Sequence, residues 1–115
     1  MVYGIGIEIV DVDRFARALL RWGDRLKHRL FTGPELAYCL ARRFPERHLS
    51  ARFAGKMSVK KALGKNITFK DIEIKRDGDG RPSIEVKGLK GFEFSISITH
   101  DGNLSLAETI AQRIE

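Results

Sequence analysis

One run of residues limits the architectures open to this chain more than any other. Val2-Tyr3-Gly4-Ile5-Gly6-Ile7-Glu8-Ile9-Val10 is rich in β-branched residues and almost wholly apolar, which suits a buried strand better than a solvent-facing one. Glu8 interrupts it. A carboxylate in such a strand is costly unless it is paired, liganded or set at the strand's end, so Glu8 serves either an ion pair or a site.

The next segments read as helices. Asp11 or Asp13 caps a helix to about Leu30, in which Phe15, Leu19, Trp22 and Leu26 recur at three- and four-residue spacing as the buried stripe. At about 100° per residue, Arg14, Arg17, Arg21 and Arg25 fall within roughly 80° of one another and away from that stripe. They form a basic side, either simply solvated or a docking surface for an acidic partner. Gly23-Asp24 is a natural break. Thr32 caps a second helix, Leu36 to about Arg43, with Glu35 completing a capping box. From Pro45 a long helix runs to Leu63, with Gly64 as its stop. Its Lys56 and Lys60 share a side with Phe53 and Met57, while Arg52 and Lys61 point elsewhere. Such mixing suits a helix at a subunit interface or beside a polyanion.

Strand patterns dominate the rest. Phe69 to Lys75 and Pro82 to Val86 flank a hairpin turn at Arg76-Asp77-Gly78-Asp79-Gly80. Phe94-Ser95-Ile96-Ser97-Ile98-Thr99 alternates apolar and hydroxyl side chains, giving one buried and one polar face. After a turn at Asp101-Gly102-Asn103, the segment from Asn103 to Ile114 continues the sheet. The order of strand, helices and antiparallel strands predicts an α+β fold in one domain over residues 1–115, with a long helix packed on an antiparallel sheet. The lone Cys39 lies in an apolar stretch and reads as a buried thiol.

Charge narrows the partners without choosing one. The net charge is +6, and residues 1–60 carry the whole excess, with twelve Lys/Arg against six Asp/Glu. A basic surface attracts nucleic acid, anionic lipid or an acidic protein. No apolar run is long enough to span a bilayer and no signal-peptide order is present, so a cytoplasmic protein without membrane insertion is expected.

Three segments hold polar residues that the local pattern leaves unexplained, and together they carry a resemblance. Gly4 through Val10, Arg52-Phe53-Ala54-Gly55-Lys56-Met57 through Lys61-Ala62-Leu63-Gly64, and Ser95 through His100 resemble the three signature blocks of the holo-acyl-carrier-protein synthases. Phe31-Thr32 with Glu35 through Cys39, and Gly80-Arg81-Pro82, are similar to further stretches of that family. The resemblance implies a 4'-phosphopantetheinyl transferase-like fold, usually assembled as a homotrimer with active sites between subunits. It also implies the reaction: the 4'-phosphopantetheine of coenzyme A passes to a serine of an acidic acyl carrier protein, and adenosine 3',5'-bisphosphate leaves.

Roles follow from the same likeness. Glu8, Lys61 and His100 would be catalytic, Lys61 near the scissile phosphate and His100 in phosphate contact. Arg52, Phe53, Lys56, Gly64, Gly80, Arg81, Pro82, Ser97 and Thr99 would bind the coenzyme. Arg14 and Arg21 would dock the carrier protein, and helix geometry adds Arg17 and Arg25. Magnesium would sit on the pyrophosphate, held at the positions of Glu8 and Met57. Negative charge on the phosphates has to be neutralised by a metal and cations.

The chain departs from the pattern at both metal positions. The family shows aspartate where this chain has Glu8, and glutamate where it has Met57. A thioether is a soft donor that does not replace a carboxylate for magnesium, and any water-mediated base role of that glutamate is lost with it. The expectations are therefore a slower or differently arranged transferase, or a relative that binds coenzyme A or carrier protein without efficient transfer. The rival from another class, a basic nucleic-acid-binding domain, lacks zinc-finger, RRM and KH signatures.

Overall fold

The computed structural model describes residues 1–114. The chain opens with β1 (Val2–Asp11), continues through α1 (Val12–Leu30), α2 (Gly33–Leu40) and α3 (Pro45–Leu63), and closes with β2 (Ile72–Arg76), β3 (Pro82–Val86), β4 (Phe92–Asp101) and β5 (Leu104–Arg113). Strands β1, β5 and β4 make an antiparallel sheet in that order, and β2 pairs with β3 as a separate hairpin. Helix α3 packs against β1 and β5, which is the α+β arrangement expected.

Local chemistry sets the helix ends. Asp11 accepts from the Arg14 backbone N–H at 2.9 Å and from Asn103 Nδ2 at 2.8 Å, tying the start of α1 to the β4–β5 turn. These two bonds, the backbone one first, hold the Asp11 carboxyl below its usual value. Thr32 and Glu35 form the capping box of α2, which ends at Leu40 rather than near Arg43. Helix α3 has the expected bounds, with Gly64 at φ 63° closing it.

Gly23 leaves helical geometry at φ 62° and ψ −148°. Phe15 and Leu19 are buried and Leu26 packs on the core, but Trp22 is 61% exposed and does not belong to the buried stripe. Trp22 keeps the phase of Phe15 and Leu19 as the last residue before the break, and its ring meets the Arg21 guanidinium at 5.2 Å instead of the core.

Strand β1 corrects a second expectation. Its isoleucines do not enter a core: Ile5, Ile7 and Ile9 are each more than half exposed on the sheet face turned away from α3. The opposite face carries Gly4 and Gly6, laid directly on the helix. A Cβ at Gly4 would meet the Ala62 carbonyl oxygen at 1.9 Å, and one at Gly6 the Ser58 carbonyl oxygen at 2.0 Å. Small residues line the neighbouring strand too, and Ser105, Ala107, Thr109 and Ala111 of β5 are fully or nearly fully buried under α3. Their hydroxyls are satisfied across the contact, Ser50 with Ser105 at 2.9 Å and Ser58 with Thr109 at 2.7 Å. On β4 the expected alternation holds, with Phe92, Phe94, Ile96 and Ile98 partly buried and Ser95, Ser97 and Thr99 exposed.

The elements around α3 meet at one buried ion pair. Lys56 and Glu35 are both inaccessible to solvent and bonded to each other. Lys56 also donates to the carbonyls of Leu30 at 2.9 Å and Phe69 at 3.0 Å. Glu35 accepts from the backbone N–H groups of Thr32 and Ile74, both at 2.8 Å. Phe69–Asp71 turns as a 3-10 helix to offer that carbonyl, so β2 begins at Ile72 rather than at Phe69. Burial pushes the Lys56 ammonium below its usual pKa, and its bond to Glu35 opposes the shift. Cys39 is buried as expected, and burial raises its thiol.

Removing one partner of such a pair leaves an uncompensated charge inside. Glu35→Gln lowers unfolding stability by about 3–5 kcal/mol in urea titrations; a loss below about 1 kcal/mol, the range of surface pairs, would refute the central place given to this contact.

Candidate active site

Two groups of functional side chains flank α3, one on each side. The first gathers where the C-terminal half of β1 meets α1, α3 and the Phe69 turn. There a cleft of about 800 Å³ is lined by Glu8, Arg14, Phe15, Phe53, Met57 and Phe69, among others. Phe53 sits between two aromatic neighbours, 4.9 Å from Phe15 and 5.6 Å from Phe69, and gives the cleft an apolar wall. Glu8 projects from β1 on the same side as the two glycines. Lys61, one turn beyond Met57, donates to Glu8 and to the Ile7 carbonyl, each at 3.1 Å. The interrupting carboxylate of the first strand is thus paired, and Glu8, Lys61, Met57 and Phe53 are brought together as expected.

The second group lies across the helix. Glu8 pairs in register with Ala107, and His100 with Ser105, so β5 separates their strands. Both face the helix side of the sheet, roughly 12 Å apart by strand spacing. His100 is exposed and does not share the Glu8 cleft. Arg52, 3% exposed, stands on its side of α3 with the guanidinium 4.5 Å from the Tyr38 ring. Arg42 stacks on the same ring at 3.9 Å and Arg76 approaches it at 5.7 Å. Arg52 Nε is buried and finds no hydrogen-bond partner among the described residues. Burial first, then Arg52, Arg42, Arg76 and His100, pull the neighbouring His48 below its usual pKa. Three guanidiniums around one ring, one of them buried and short of an acceptor, are suited to a multiply charged anion.

The remaining expected residues scatter. Gly80 and Arg81 are exposed on the β2–β3 hairpin beside partly buried Pro82, and Gly64 is exposed at the end of α3. Ser97 and Thr99 lie on the sheet face away from α3. Lys56 has to be withdrawn as a coenzyme ligand, because its donors go to Glu35, Leu30 and Phe69 in the interior. Arg14, Arg17, Arg21 and Arg25 are all exposed. Only the first three share one helical phase, because Arg25 follows the break at Gly23. Tyr38, Arg42, His48 and Arg76 were not anticipated. The four-residue spacing of Tyr38 and Arg42 was the available signal.

The metal positions fail a simple chemical test. Met57 offers only sulfur, the Glu8 carboxylate already holds Lys61, and Asp11, also at the cleft, caps α1. Among the described residues no group of three or more His, Cys, Asp or Glu side chains is arranged to hold a metal ion. The side chains present do not fit a resident magnesium site of the two-carboxylate kind.

Comparison with known proteins adds an independent line. Residues 4–110 match the family model described as the 4'-phosphopantetheinyl transferase superfamily. The holo-[acyl-carrier-protein] synthase of Geobacter metallireducens is 34% identical over 126 aligned positions, covering 99% of this chain and 100% of that protein. The crystal structure of the Neisseria meningitidis holo-[acyl-carrier-protein] synthase superposes with a TM-score of 0.88 at 28% identity, covering 98% of this chain and 100% of that one. The Bacillus anthracis enzyme, solved in complex with CoA (3',5'-ADP), does so with a TM-score of 0.87 at 26% identity, covering 100% and 99%. Sequence and fold agree along the chain's length, and the protein belongs to the 4'-phosphopantetheinyl transferase superfamily.

Proposed function

We propose that this protein transfers the 4'-phosphopantetheine group of coenzyme A to a serine of an apo-acyl carrier protein in the cytoplasm, as a homotrimer over its single domain. The observation that carries this reading is the buried, unpartnered Arg52 among Arg42 and Arg76, in a chain matched end to end by a relative solved with CoA (3',5'-ADP). That cluster, with His100 nearby, takes the phosphates of the nucleotide end. Arg81 and Pro82 of the hairpin, Gly64, Ser97 and Thr99 complete the coenzyme's surroundings. The pantetheine arm lies along the apolar wall of Phe53 and Phe69. The basic excess serves this partner and an acidic carrier rather than nucleic acid.

In the reaction the serine oxygen attacks the β-phosphorus. A new P–O bond forms, the bond to the oxygen bridging toward the α-phosphate breaks, and adenosine 3',5'-bisphosphate departs with that electron pair. Lys61, held by Glu8 at 3.1 Å, stands beside the transferred phosphoryl and offsets its charge. Glu8 is the cleft carboxylate not engaged in capping a helix, and it takes the serine proton. Magnesium, when present, would add neutralising charge on the pyrophosphate.

Two features support the assembly. Tyr3, Ile5, Ile7, Ile9 and Leu104 expose a contiguous apolar sheet face that further copies of the chain would cover. The two half-sites also lie on opposite sides of α3, so contact between subunits would bring Glu8 and Lys61 of one copy to His100 and Arg52 of another.

Incubation with apo-carrier protein, coenzyme A and magnesium yields a phosphopantetheine adduct on the carrier's serine by mass spectrometry, and Lys61→Ala removes at least about 90% of the rate. No adduct at high protein concentration would leave a binding-only relative, the reading that Met57 favours. Arg21→Glu raises KM for the carrier about tenfold at low salt with kcat little changed, and added salt narrows the gap; unchanged KM would remove α1 from the docking surface. Ile7→Glu turns the trimer into protomers in light scattering and abolishes transfer, whereas full activity in a monomer would show that one chain is sufficient.

A further inference from the structure

We infer that this protein binds no divalent cation by itself and that magnesium enters its cleft only as a complex with the pyrophosphate of coenzyme A. The inference rests on the transferase reading and concerns what this chain's own residues offer the ion. Two carboxylates reach the cleft, and each is engaged through one of its oxygens. Glu8 is bonded to Lys61 Nζ at 3.1 Å, which is anchored a second time on the Ile7 carbonyl at 3.1 Å. Asp11 Oδ1 holds the Arg14 backbone N–H at 2.9 Å and Asn103 Nδ2 at 2.8 Å. The third side chain in position is Met57, which contributes a thioether to the same wall. Arg14 and Arg29 add further positive charge to the rim. A dication entering alone would meet the Lys61 ammonium beside the first carboxylate, with only the second oxygens of Glu8 and Asp11 to gain, too few for magnesium's six-ligand shell.

Pyrophosphate reverses that balance. Its oxygens bring the ligands and negative charge that the protein lacks, and magnesium commonly retains waters and substrate phosphates as most of its shell. Glu8 is then at most a single protein contact, and Lys61 is free to turn from the carboxylate toward the phosphate. Met57 is the residue that separates this behaviour from that of a protein with a resident ion.

The test uses Mn2+ as the probe, followed by the loss of its free electron paramagnetic resonance signal. The intact protein leaves the signal unchanged without coenzyme A; with coenzyme A it takes up one ion per site beyond what coenzyme A alone removes. Met57→Glu binds Mn2+ without coenzyme A, roughly tenfold or more tightly than the unaltered protein. Tight Mn2+ binding by the coenzyme-free, unaltered protein overturns the inference, and so does a coenzyme-loaded protein that takes up no additional Mn2+. Both decisive arms use the unaltered chain, so a folding defect in the variant does not spoil the test. Calorimetric titration with coenzyme A, once with magnesium and once in EDTA, separates the two readings: absence of coenzyme binding in both refutes the transferase reading itself.

Discussion

The contact between Lys56 and Glu35 organises everything that surrounds α3. A buried ammonium and carboxylate are tolerated inside a protein only when their remaining hydrogen-bonding capacity is met, and here backbone groups of Leu30, Thr32, Phe69 and Ile74 meet it. Those four belong to the end of α1, the start of α2, the 3-10 turn and β2. One pair thereby fixes the rotation of α3 about its axis. Rotation decides which neighbours of Lys56 face outward: Met57 and Phe53 toward the cleft, Arg52 toward Tyr38. An apolar substitute could supply comparable stability, but it would not hold these elements by directional bonds.

The second constraint is the close approach of β1. Because Gly4 and Gly6 leave no Cβ between strand and helix, the backbone of β1 touches that of α3, and Glu8 comes within reach of Lys61. The same alternation throws the isoleucines outward, onto the exposed face of the sheet. The close contact with α3 and the exposed apolar face therefore come from one strand. On the proposed reading the assembly that covers those isoleucines also joins two cationic half-sites that the helix keeps apart within a chain.

Much of this architecture was legible locally. The capping box at Thr32 and Glu35, the stop at Gly64, the break at Gly23 and the alternation of β4 depend on residues near one another in sequence, and all are found as read. The misreadings share another character. Trp22 lies outside the buried stripe, the β1 isoleucines outside the interior and Lys56 inside it beside Glu35, and each outcome depends on what lies on the far side of the element. Periodicity reports that two faces differ; it does not report which face is covered, or by what.

The sequence by itself determined the elements, the family resemblance, and the presence of a carboxylate and cations with no local purpose. Only the tertiary structure decided that Lys56 is internal, that Arg42 and Arg76 join Arg52 at Tyr38, and that His100 stands apart from Glu8. Those outcomes depend on contacts between residues tens of positions apart, made by packing α3 against the sheet, whereas caps, turns and strand alternation are written into neighbouring residues by hydrogen bonds and sterics of short range.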